Sequence, residues 1–293
     1  MTTTGHGRVL RLLADGKRHS GEQIAAELGI SRAAVAKAVR RAADDLGLAI
    51  EARRGQGYRL AEPLELLDAE RILAGLPSQS RTLLTGLEVL ESVDSTNSHL
   101  LRLASQGVAG GRVCLAERQS AGRGRLGRTW VSPFGANLYL SLLWRSPLAL
   151  SQLGGLSLAA GVAVARALEA VGAEEIALKW PNDLHWQRRK LAGLLLEASG
   201  ESQGPSTLVL GVGINLRMPP EQAEAIDQPW SDLSMLPGVD HLARNRLASA
   251  LIRTLFEALS TFEQAGFEPF LDDWSDRDAY AGEGVSLQMG TNQ

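Results

Sequence analysis

The chain has 293 residues, of which 44% are hydrophobic and 22% charged, and this composition excludes collagen-like, low-complexity and disordered proteins. A single cysteine excludes an intrachain disulfide framework, and the five histidines lack metal-ligand spacing. No apolar run reaches the roughly 18 residues of a membrane span, and the first residues carry no signal-peptide pattern. A cytoplasmic protein without a membrane partner is therefore expected.

The charge is unevenly distributed along the chain. It is −3 overall, but residues 1–60 hold eleven Lys and Arg against six Asp and Glu, a segment charge of +5 that leaves −8 for the remainder. A small basic segment beside an acidic body indicates that the basic segment meets an anionic partner.

Residues 1–62 carry the pattern of a winged helix-turn-helix domain. Three short helices are predicted, the second and third after Ser20 and Ser31, which are good N-caps, while Gly29 suits the end of the second helix. The stretch 48–60 has a Gly-rich turn between apolar residues and predicts a hairpin, the wing.

DNA binding is the function that this pattern favours, through phosphate contacts from Arg and Lys and base reading by the exposed face of the third helix. The alternative is a three-helix interaction module whose charged face is only solvated. The candidate DNA-binding residues are Ser31, Arg32, Lys37, Arg40, Arg53 and Arg54.

A connector is predicted over residues 63–86, with one short helix between its two prolines, and residues 87–272 form the predicted second domain. Long helices are predicted there over 151–170 and 245–264, where leucines recur every three or four residues. The predicted strands are 87–92, 112–117, 137–144, 175–180, 190–198 and 207–215. This order predicts an α+β fold, a sheet covered by helices.

Four segments of the second domain carry more polar residues and glycines than packing requires. In the first, residues 92–100, Ser95, Thr96 and Asn97 follow a strand and precede a helix. Small hydroxyl and amide groups there suit the polar head of a small ligand, and they also suit a plain helix cap.

Residues 118–130, called the arginine loop from here on, alternate four arginines with three glycines. Glycine lets the backbone approach an anion and arginine brings a fixed cationic fork, so a loop that closes over phosphate or carboxylate is predicted. The spacing is not GxxxxGK[ST], which excludes a Walker loop. A disordered basic surface loop is the alternative.

The other two segments lie at strand ends. The segment 178–186 holds Asp183, which suits Mg²⁺ binding, proton acceptance or a turn that closes its own hydrogen bond. Lys190 opens a strand that contains Gly193, and the glycines of 211–213 remove side chains from a neighbouring strand. This pattern favours a flat group lying against the sheet, with close strand packing as the alternative.

Together these motifs resemble those of the bifunctional biotin–protein ligases, which are also repressors of biotin biosynthesis. The resemblance covers about residues 8–280 and implies a class II synthetase-like mixed sheet with covering helices behind the winged helix-turn-helix. The matching motifs are DSTN (94–97), GRGRLGR (122–128), SPFGANLYLS (132–141), KWPNDL (179–184), KLAGLLLE (190–197) and GVGIN (211–215).

The resemblance implies a two-step reaction. Biotin and ATP, with Mg²⁺, give biotinyl-5′-AMP and pyrophosphate, and a lysine of the biotin carboxyl carrier protein of acetyl-CoA carboxylase then takes the biotinyl group and releases AMP. The resemblance also implies that the adenylate-bound homodimer binds the operator DNA of the biotin biosynthesis genes.

The resemblance further implies roles for individual residues. The implied catalytic residues are Lys190, Arg123, Arg125, Lys179 and Asp183, with Asp183 also the Mg²⁺ ligand. The implied biotin-binding residues are Ser95, Thr96, Asn97, Gln119, Arg123, Gly124, Arg125, Lys190 and Gly193. The implied ATP- or adenylate-binding residues are Arg125, Arg128, Trp130, Lys179, Asn182 and Asn215.

Family members of this kind end in a small SH3-like barrel. Here only residues 273–293 follow the last predicted helix, so that module is expected to be mostly absent, with one strand over 285–289. Two other functions stay open: a biotin-sensing repressor with lost or weak transfer activity, and a lipoate ligase of the same fold.

Overall fold

The computed structural model describes residues 5–200, 203–239 and 244–286. Its N-terminal part has three helices followed by a two-stranded antiparallel hairpin, the arrangement of a winged helix-turn-helix. The predicted helices and the predicted wing are therefore confirmed. These elements are α1 (Gly5–Leu13), α2 (Gly21–Leu28), α3 (Arg32–Leu46), β1 (Ile50–Arg53) and β2 (Gly57–Leu60).

The helix ends of this domain follow the predicted signals. The Ser20 and Ser31 hydroxyls each accept a backbone N–H three residues further on, from Gln23 and Ala34, both at 3.1 Å. Gly29 ends α2 with φ = 64°, a left-handed conformation that glycine adopts without a Cβ penalty. The two N-caps and the glycine at the end of α2 act within a few residues, so predicting them needed no tertiary information.

Two helices, α4 (Ala69–Ala74) and α5 (Ser78–Leu83), follow the wing, where only one was predicted. Ile72 and Leu76 are buried in the core of the larger domain, together with Leu67. Most of the predicted connector, residues 63–86, is therefore packed against the larger domain.

A buried ion pair holds this connector in place. Arg244 Nη1 lies 2.6 Å from Glu117 Oε2, and both side chains are less than a tenth exposed. The other Glu117 oxygen accepts the N–H of Leu67 at 2.5 Å, and Arg244 Nη1 also donates to the carbonyl of Glu65 at 2.8 Å. Removing one partner of a buried ion pair leaves an uncompensated charge, which costs free energy. The ion pair is therefore hard to break, and it holds the connector firmly against the larger domain.

The larger domain is built on a seven-stranded mixed sheet, which confirms the predicted α+β class. Its strands lie in the order β3-β4-β5-β9-β8-β7-β6, and every neighbouring pair is antiparallel except β3 with β4. The strands are β3 (Gly86–Leu90), β4 (Arg112–Ala116), β5 (Leu138–Ser146), β6 (Ala177–Lys179), β7 (Asp183–Trp186), β8 (Arg189–Gly200) and β9 (Ser206–Ile214).

All six predicted strands are present, and β7 is the strand that sequence reasoning missed. The segment was interpreted as a turn at the end of a strand because Pro181 and the two residues after it carry strong turn signals. In the structure residues 180–182 make a tight turn between β6 and β7, and β7 has only four residues before the next turn.

Five further helices lie within the described part of the larger domain. The two long ones, α7 and α9, pack on each other and cover one face of the sheet, whereas α6 covers part of the opposite face through Leu100, Cys114 and Leu143. These helices are α6 (Thr96–Ser105), α7 (Leu156–Glu169), α8 (Pro220–Ala223), α9 (Arg244–Ala265) and α10 (Leu271–Asp276). The face that carries α6 stays open beyond the first turn of that helix.

After α10 the chain runs along the edge strand β6. The N–H of Leu178 donates to the carbonyl of Arg277 at 2.7 Å, and the N–H of Ala279 donates back to Leu178 at 2.8 Å. The strand predicted over 285–289 lies mostly outside the described residues, as do residues 287–293 of the predicted remnant. Within the described ranges, no helix has the length and apolarity needed to cross a membrane.

Candidate active site

A cavity of about 790 Å³ opens on the face of the sheet that carries α6, beneath the arginine loop. Residues from distant parts of the chain meet here, and every residue that the sequence assigned to biotin, nucleotide or catalysis lines it. These are Ser95, Thr96, Asn97, Gln119, Arg123, Gly124, Arg125, Arg128, Trp130, Lys179, Asn182, Asp183, Lys190, Gly193 and Asn215. Their individual roles stay predictions.

The floor of the cavity is a pair of glycines under an indole ring. Gly193 and Gly213 lie opposite each other on β8 and β9, and Trp130 lies against both. A Cβ on Gly213 would come within 2.5 Å of the Trp130 ring, and one on Gly193 within 3.1 Å. The expected flat group against the sheet is therefore present, and it is the indole of the chain itself.

The Trp130 Nε1 donor is buried and has no hydrogen-bond partner among the described residues. A buried donor left unpaired costs free energy, so such atoms in cavities are candidates for binding a ligand acceptor. The indole thus supplies both a flat apolar surface and one free donor to this cavity.

One end of the cavity is lined by Thr96, Asn97 and Gln119, and these residues with their partners Ser141 and Glu197 are called the polar end from here on. The Thr96 N–H donates to Gln119 Oε1 at 2.9 Å, which ties the first turn of α6 to the base of the arginine loop. The Ser141 hydroxyl donates to Asn97 Oδ1 at 2.5 Å and lies 2.7 Å from Thr96 Oγ1.

Asn97 is fully engaged with the protein itself. Its Nδ2 donates to Glu197 Oε2 at 2.8 Å and to the carbonyl of Leu195 at 3.1 Å. Gly211 admits this side chain, because a Cβ there would lie 2.2 Å from Asn97 Oδ1. Asn97 therefore organises the pocket wall, and its predicted role in biotin binding stays a prediction.

Ser95 combines the two interpretations of its segment. Its hydroxyl accepts the N–H of Ser98 and caps α6, as the capping alternative expected, while the residue also lines the cavity. The preceding Asp94 binds Arg102 at 2.7 and 2.9 Å, and these hydrogen bonds lower the pKa of Asp94 to about 2. Asp94 is thus an ionised anchor for the helix.

The opposite end, called the cationic end from here on, is formed by Lys179, Asn182, Asp183 and Lys190 under the arginine loop. Lys190 Nζ lies 2.8 Å from Asp183 Oδ1, and both side chains are less than a fifth exposed. The same ammonium sits 5.6 Å from the centre of the Trp130 ring. Lys190 is therefore held at the junction of the indole floor and the cationic end.

The arginine loop reaches this end through one of its arginines. Arg125 Nη1 donates to Asn182 Oδ1 at 3.3 Å, while Asn182 Nδ2 donates to the carbonyl of Leu194 at 2.6 Å. The loop has no regular structure except one turn of 3₁₀ helix, in which Leu126 has φ = 55° and is 92% exposed. This irregular backbone agrees with the prediction of a loop over these residues.

Arg123 does not join the cationic end, although the sequence had grouped it with Lys190. Its guanidinium donates to Glu197 at 2.8 and 3.1 Å, at the polar end. The physical reason is electrostatic: a carboxylate on β8 attracts the guanidinium, and no sequence motif indicated that this carboxylate lies beside the loop.

His185 lies under the cationic end, on β7. Burial, with a smaller contribution from the Lys179 ammonium, lowers the pKa of His185 from 6.5 to about 4. Its Nδ1 atom has no hydrogen-bond partner in the part of the chain that the structure describes. A neutral imidazole at pH 7 adds no further positive charge to a region that already holds two lysines.

Sequence reasoning missed the strap, residues 225–231, which closes another side of the cavity. Its backbone pairs with Lys190: the Lys190 N–H donates to Pro229 at 3.0 Å, and the Ser231 N–H donates to the Lys190 carbonyl at 2.9 Å. Asn215 Nδ2 donates to the carbonyl of Ser231 at 3.1 Å, so this predicted ligand also holds the strap. The strap has no helical or strand pattern, so no motif in the sequence indicated it.

The predicted DNA-binding residues are all exposed on the N-terminal domain. Arg32 at the start of α3 pairs with Glu22 at 2.8 Å, and Arg53 and Arg54 lie at the tip of the wing. The base of this domain contacts the larger one, where Phe134 packs with Leu46. The exposed candidate DNA-binding residues therefore lie on the side of the domain away from that contact.

Comparisons with known proteins agree with this arrangement. Residues 89–215 match the biotin/lipoate A/B protein ligase family, and residues 8–59 match a helix-turn-helix domain. The bifunctional ligase/repressor BirA of Escherichia coli (strain K12) is 42% identical over 98% of this chain and 86% of its own length. The chain belongs to the bifunctional ligase/repressor family of biotin–protein ligases. The family resemblance carried by the sequence motifs is thereby confirmed.

Other biotin–protein ligases match about two thirds of this chain. The biotin–[acetyl-CoA-carboxylase] ligase of Mycobacterium tuberculosis is 39% identical over 67% of this chain and 71% of its own. The solved structure of the Aquifex aeolicus biotin protein ligase in complex with biotin and ATP is 32% identical, with a TM-score of 0.56, over 67% of this chain and 79% of that one.

Proposed function

We propose that this protein activates biotin with ATP and transfers the biotinyl group to a lysine of the biotin carboxyl carrier protein of acetyl-CoA carboxylase. We further propose that the adenylate-bound form, as a homodimer, represses the biotin biosynthesis genes. The observation that carries the proposal is one cavity with a hydrogen-bonding polar end, an indole floor and a cationic end. Biotin has a polar ureido head and an apolar tail that ends in a carboxylate, so its chemistry fits that order.

In the first step, a biotin carboxylate oxygen attacks the α-phosphorus of ATP, an acyl-phosphate anhydride forms, and pyrophosphate leaves with the electron pair. The carboxylate is already ionised, so the protein supplies no base. Lys190 and Arg125 are the cations we assign to the charge that develops on the phosphoryl oxygens. A well-placed donor of this kind contributes about 3–4 kcal/mol to the transition state.

In the second step, the acceptor lysine amine attacks the acyl carbon, an amide forms, and the bond to the phosphate oxygen breaks as AMP leaves. The amine gives up a proton, and we assign Asp183 as its acceptor because this carboxylate lines the cationic end. The arginine loop covers the cavity during both steps and keeps water from hydrolysing the anhydride.

Mg²⁺ fits this site as a companion of the nucleotide. No cluster of three or more His, Cys, Asp or Glu forms anywhere in the described ranges, but Asp183 Oδ1 is buried without a well-oriented hydrogen bond. One such carboxylate suffices for a cation that takes its other ligands from phosphates and water. The ion supplies charge neutralisation on the phosphates, and Asp183 is the residue that would hold it.

Biotin-dependent exchange of labelled pyrophosphate into ATP tests the ligase activity. We expect exchange with biotin and none with lipoate. Absence of exchange at saturating substrates would contradict adenylate formation, and exchange without transfer to the carrier protein would favour a repressor that only senses biotin. The reaction is placed in the cytoplasm, where ATP and the carrier are available.

Operator binding is tested separately with Arg32→Ala. Arg32 lies at the exposed N-terminus of α3, far along the chain from the cavity, so we expect weaker operator binding and unchanged pyrophosphate exchange. A gel-shift titration with adenylate present measures the first, and the exchange assay measures the second. Loss of both activities together would contradict the assignment of DNA binding to this domain.

A further inference from the structure

Glu197 contacts both Asn97, in the segment assigned to biotin, and Arg123, in the arginine loop. Its Oε2 accepts from Asn97 Nδ2 at 2.8 Å and from Arg123 Nη2 at 2.8 Å. The Glu197 side chain is 27% exposed, so the pair is partly shielded from solvent. Charge-assisted bonds of this kind are shorter and stronger than neutral ones.

These contacts close a ring of interactions around the polar end. Gln119, at the base of the arginine loop, accepts from Thr96, and Thr96 and Asn97 both contact Ser141. Asn97 then continues to Glu197, and Glu197 returns to the same loop through Arg123. The loop is therefore fastened at two points to one rigid wall.

The position of Glu197 also fixes where Arg123 acts. The Lys190 ammonium lies 3.4 Å from where a Cβ on Gly193 would stand, and Glu197 is four residues further along β8, roughly 13 Å on an extended strand. The Arg123 guanidinium thus lies at the far end of the cavity from the ammonium of Lys190. Its charge is neutralised by Glu197 and serves to hold the loop.

We propose that Glu197 is a positioning residue that orients Asn97 and holds the arginine loop closed over the ligand head through Arg123. This inference rests on the proposed function, since the ligand is taken to be biotin and its adenylate. Glu197 touches neither reacting group; it acts through the two side chains it binds.

The variant Glu197→Gln tests this role. A glutamine oxygen can take the place of Glu197 Oε2, but an amide nitrogen replaces Oε1 and the negative charge is lost, so the contact with Arg123 is weakened. We expect the KM for biotin in pyrophosphate exchange to rise about tenfold, and release of prepared biotinyl-5′-AMP to accelerate about tenfold, while kcat changes much less. Glu197→Asp keeps the charge, so it should recover part of both losses.

Glu257→Gln is the matched control, because Glu257 forms an exposed ion pair with Arg253 on α9. A drop in kcat with unchanged KM, or wild-type KM and release rate in Glu197→Gln, would overturn the proposal. If Glu197→Gln fails to fold, a wild-type KM in Glu197→Asp overturns it and an intermediate KM supports it. If the wild type shows no exchange, the proposed function fails, and calorimetric biotin affinity of the same variants still tests Glu197.

Discussion

The two ends of the cavity differ in how far their polar groups are already satisfied. At the polar end, Thr96 binds Gln119, Ser141 binds both Thr96 and Asn97, and Asn97 binds Glu197, so the wall exists before any ligand arrives. At the cationic end, Asp183 and His185 keep buried atoms without hydrogen-bond partners in the described ranges, and Lys190 has only an ion-pair contact with Asp183.

Because of this difference, the two ends of the cavity have different roles. A satisfied network is rigid and selects a ligand by shape and hydrogen bonding. At the cationic end the ion pair of Lys190 and Asp183 is shielded from solvent, and a shielded cation stabilises an arriving anion strongly. We therefore propose that recognition belongs to the polar end and chemistry to the cationic end.

The largest effect is expected at the cationic end, for a variant that loses the ammonium of Lys190. Lys190→Ala should reduce adenylate formation by about a hundredfold or more, because one well-placed donor to the developing charge is lost. Pyrophosphate exchange measures this loss. Arg189→Ala is the matched control: it is the adjacent residue on β8, and it is exposed. Equal losses in both variants, or a thermal midpoint that falls by many degrees in Lys190→Ala, would make the role of Lys190 structural.

A smaller effect is expected at the polar end. Gly211→Ala places a Cβ 2.2 Å from Asn97 Oδ1, so Asn97 must move and the wall loses its shape. The KM for biotin should rise by about tenfold, with kcat affected less. Gly154→Ala is the control, because no described atom lies within 4 Å of its added Cβ. An unchanged KM in Gly211→Ala would show that the wall is not preorganised.

The smallest effect concerns pH and the neutral imidazole under the cationic end. The folded-state pKa of His185 is about 4, below its ordinary 6.5, so the unfolded chain takes up the proton first as pH falls. The free energy of unfolding should therefore decrease as pH falls from about 6.5 to about 4. His185→Phe should flatten this part of the pH profile, measured by urea unfolding in EDTA without nucleotide. Identical profiles for variant and wild type would contradict a buried neutral His185.

Local signals in the sequence predicted much of the fold. Ser20, Ser31 and Gly29 mark helix ends by chemistry that acts within a few residues, and the structure has them as predicted. The alternating leucines of β5 and the leucine spacing of α9 likewise set their elements. Strand β7 was missed because four residues give too short a pattern to outweigh the turn signal at Pro181.

The candidate site was predicted in part. The glycines at 193 and 213 indicated that a flat group lies on the sheet, but only the structure shows that Trp130 is that group. Ser141 and Glu197 gave no signal, since a serine and a glutamate in apolar strands have ordinary structural explanations. Their partners are 44 and 74 residues away in the chain, at Asn97 and Arg123.

The sequence by itself determined the helix caps, the strand and helix pattern, the basic N-terminal domain and the motif residues that line the cavity. The tertiary structure decided which of those residues meet. Arg123 and Lys190 belong to similar cationic motifs, yet one is neutralised by Glu197 and the other faces Asp183 and an indole. The physical reason is that pairing depends on distance in space, and strands that are remote in the chain become neighbours only when the sheet forms.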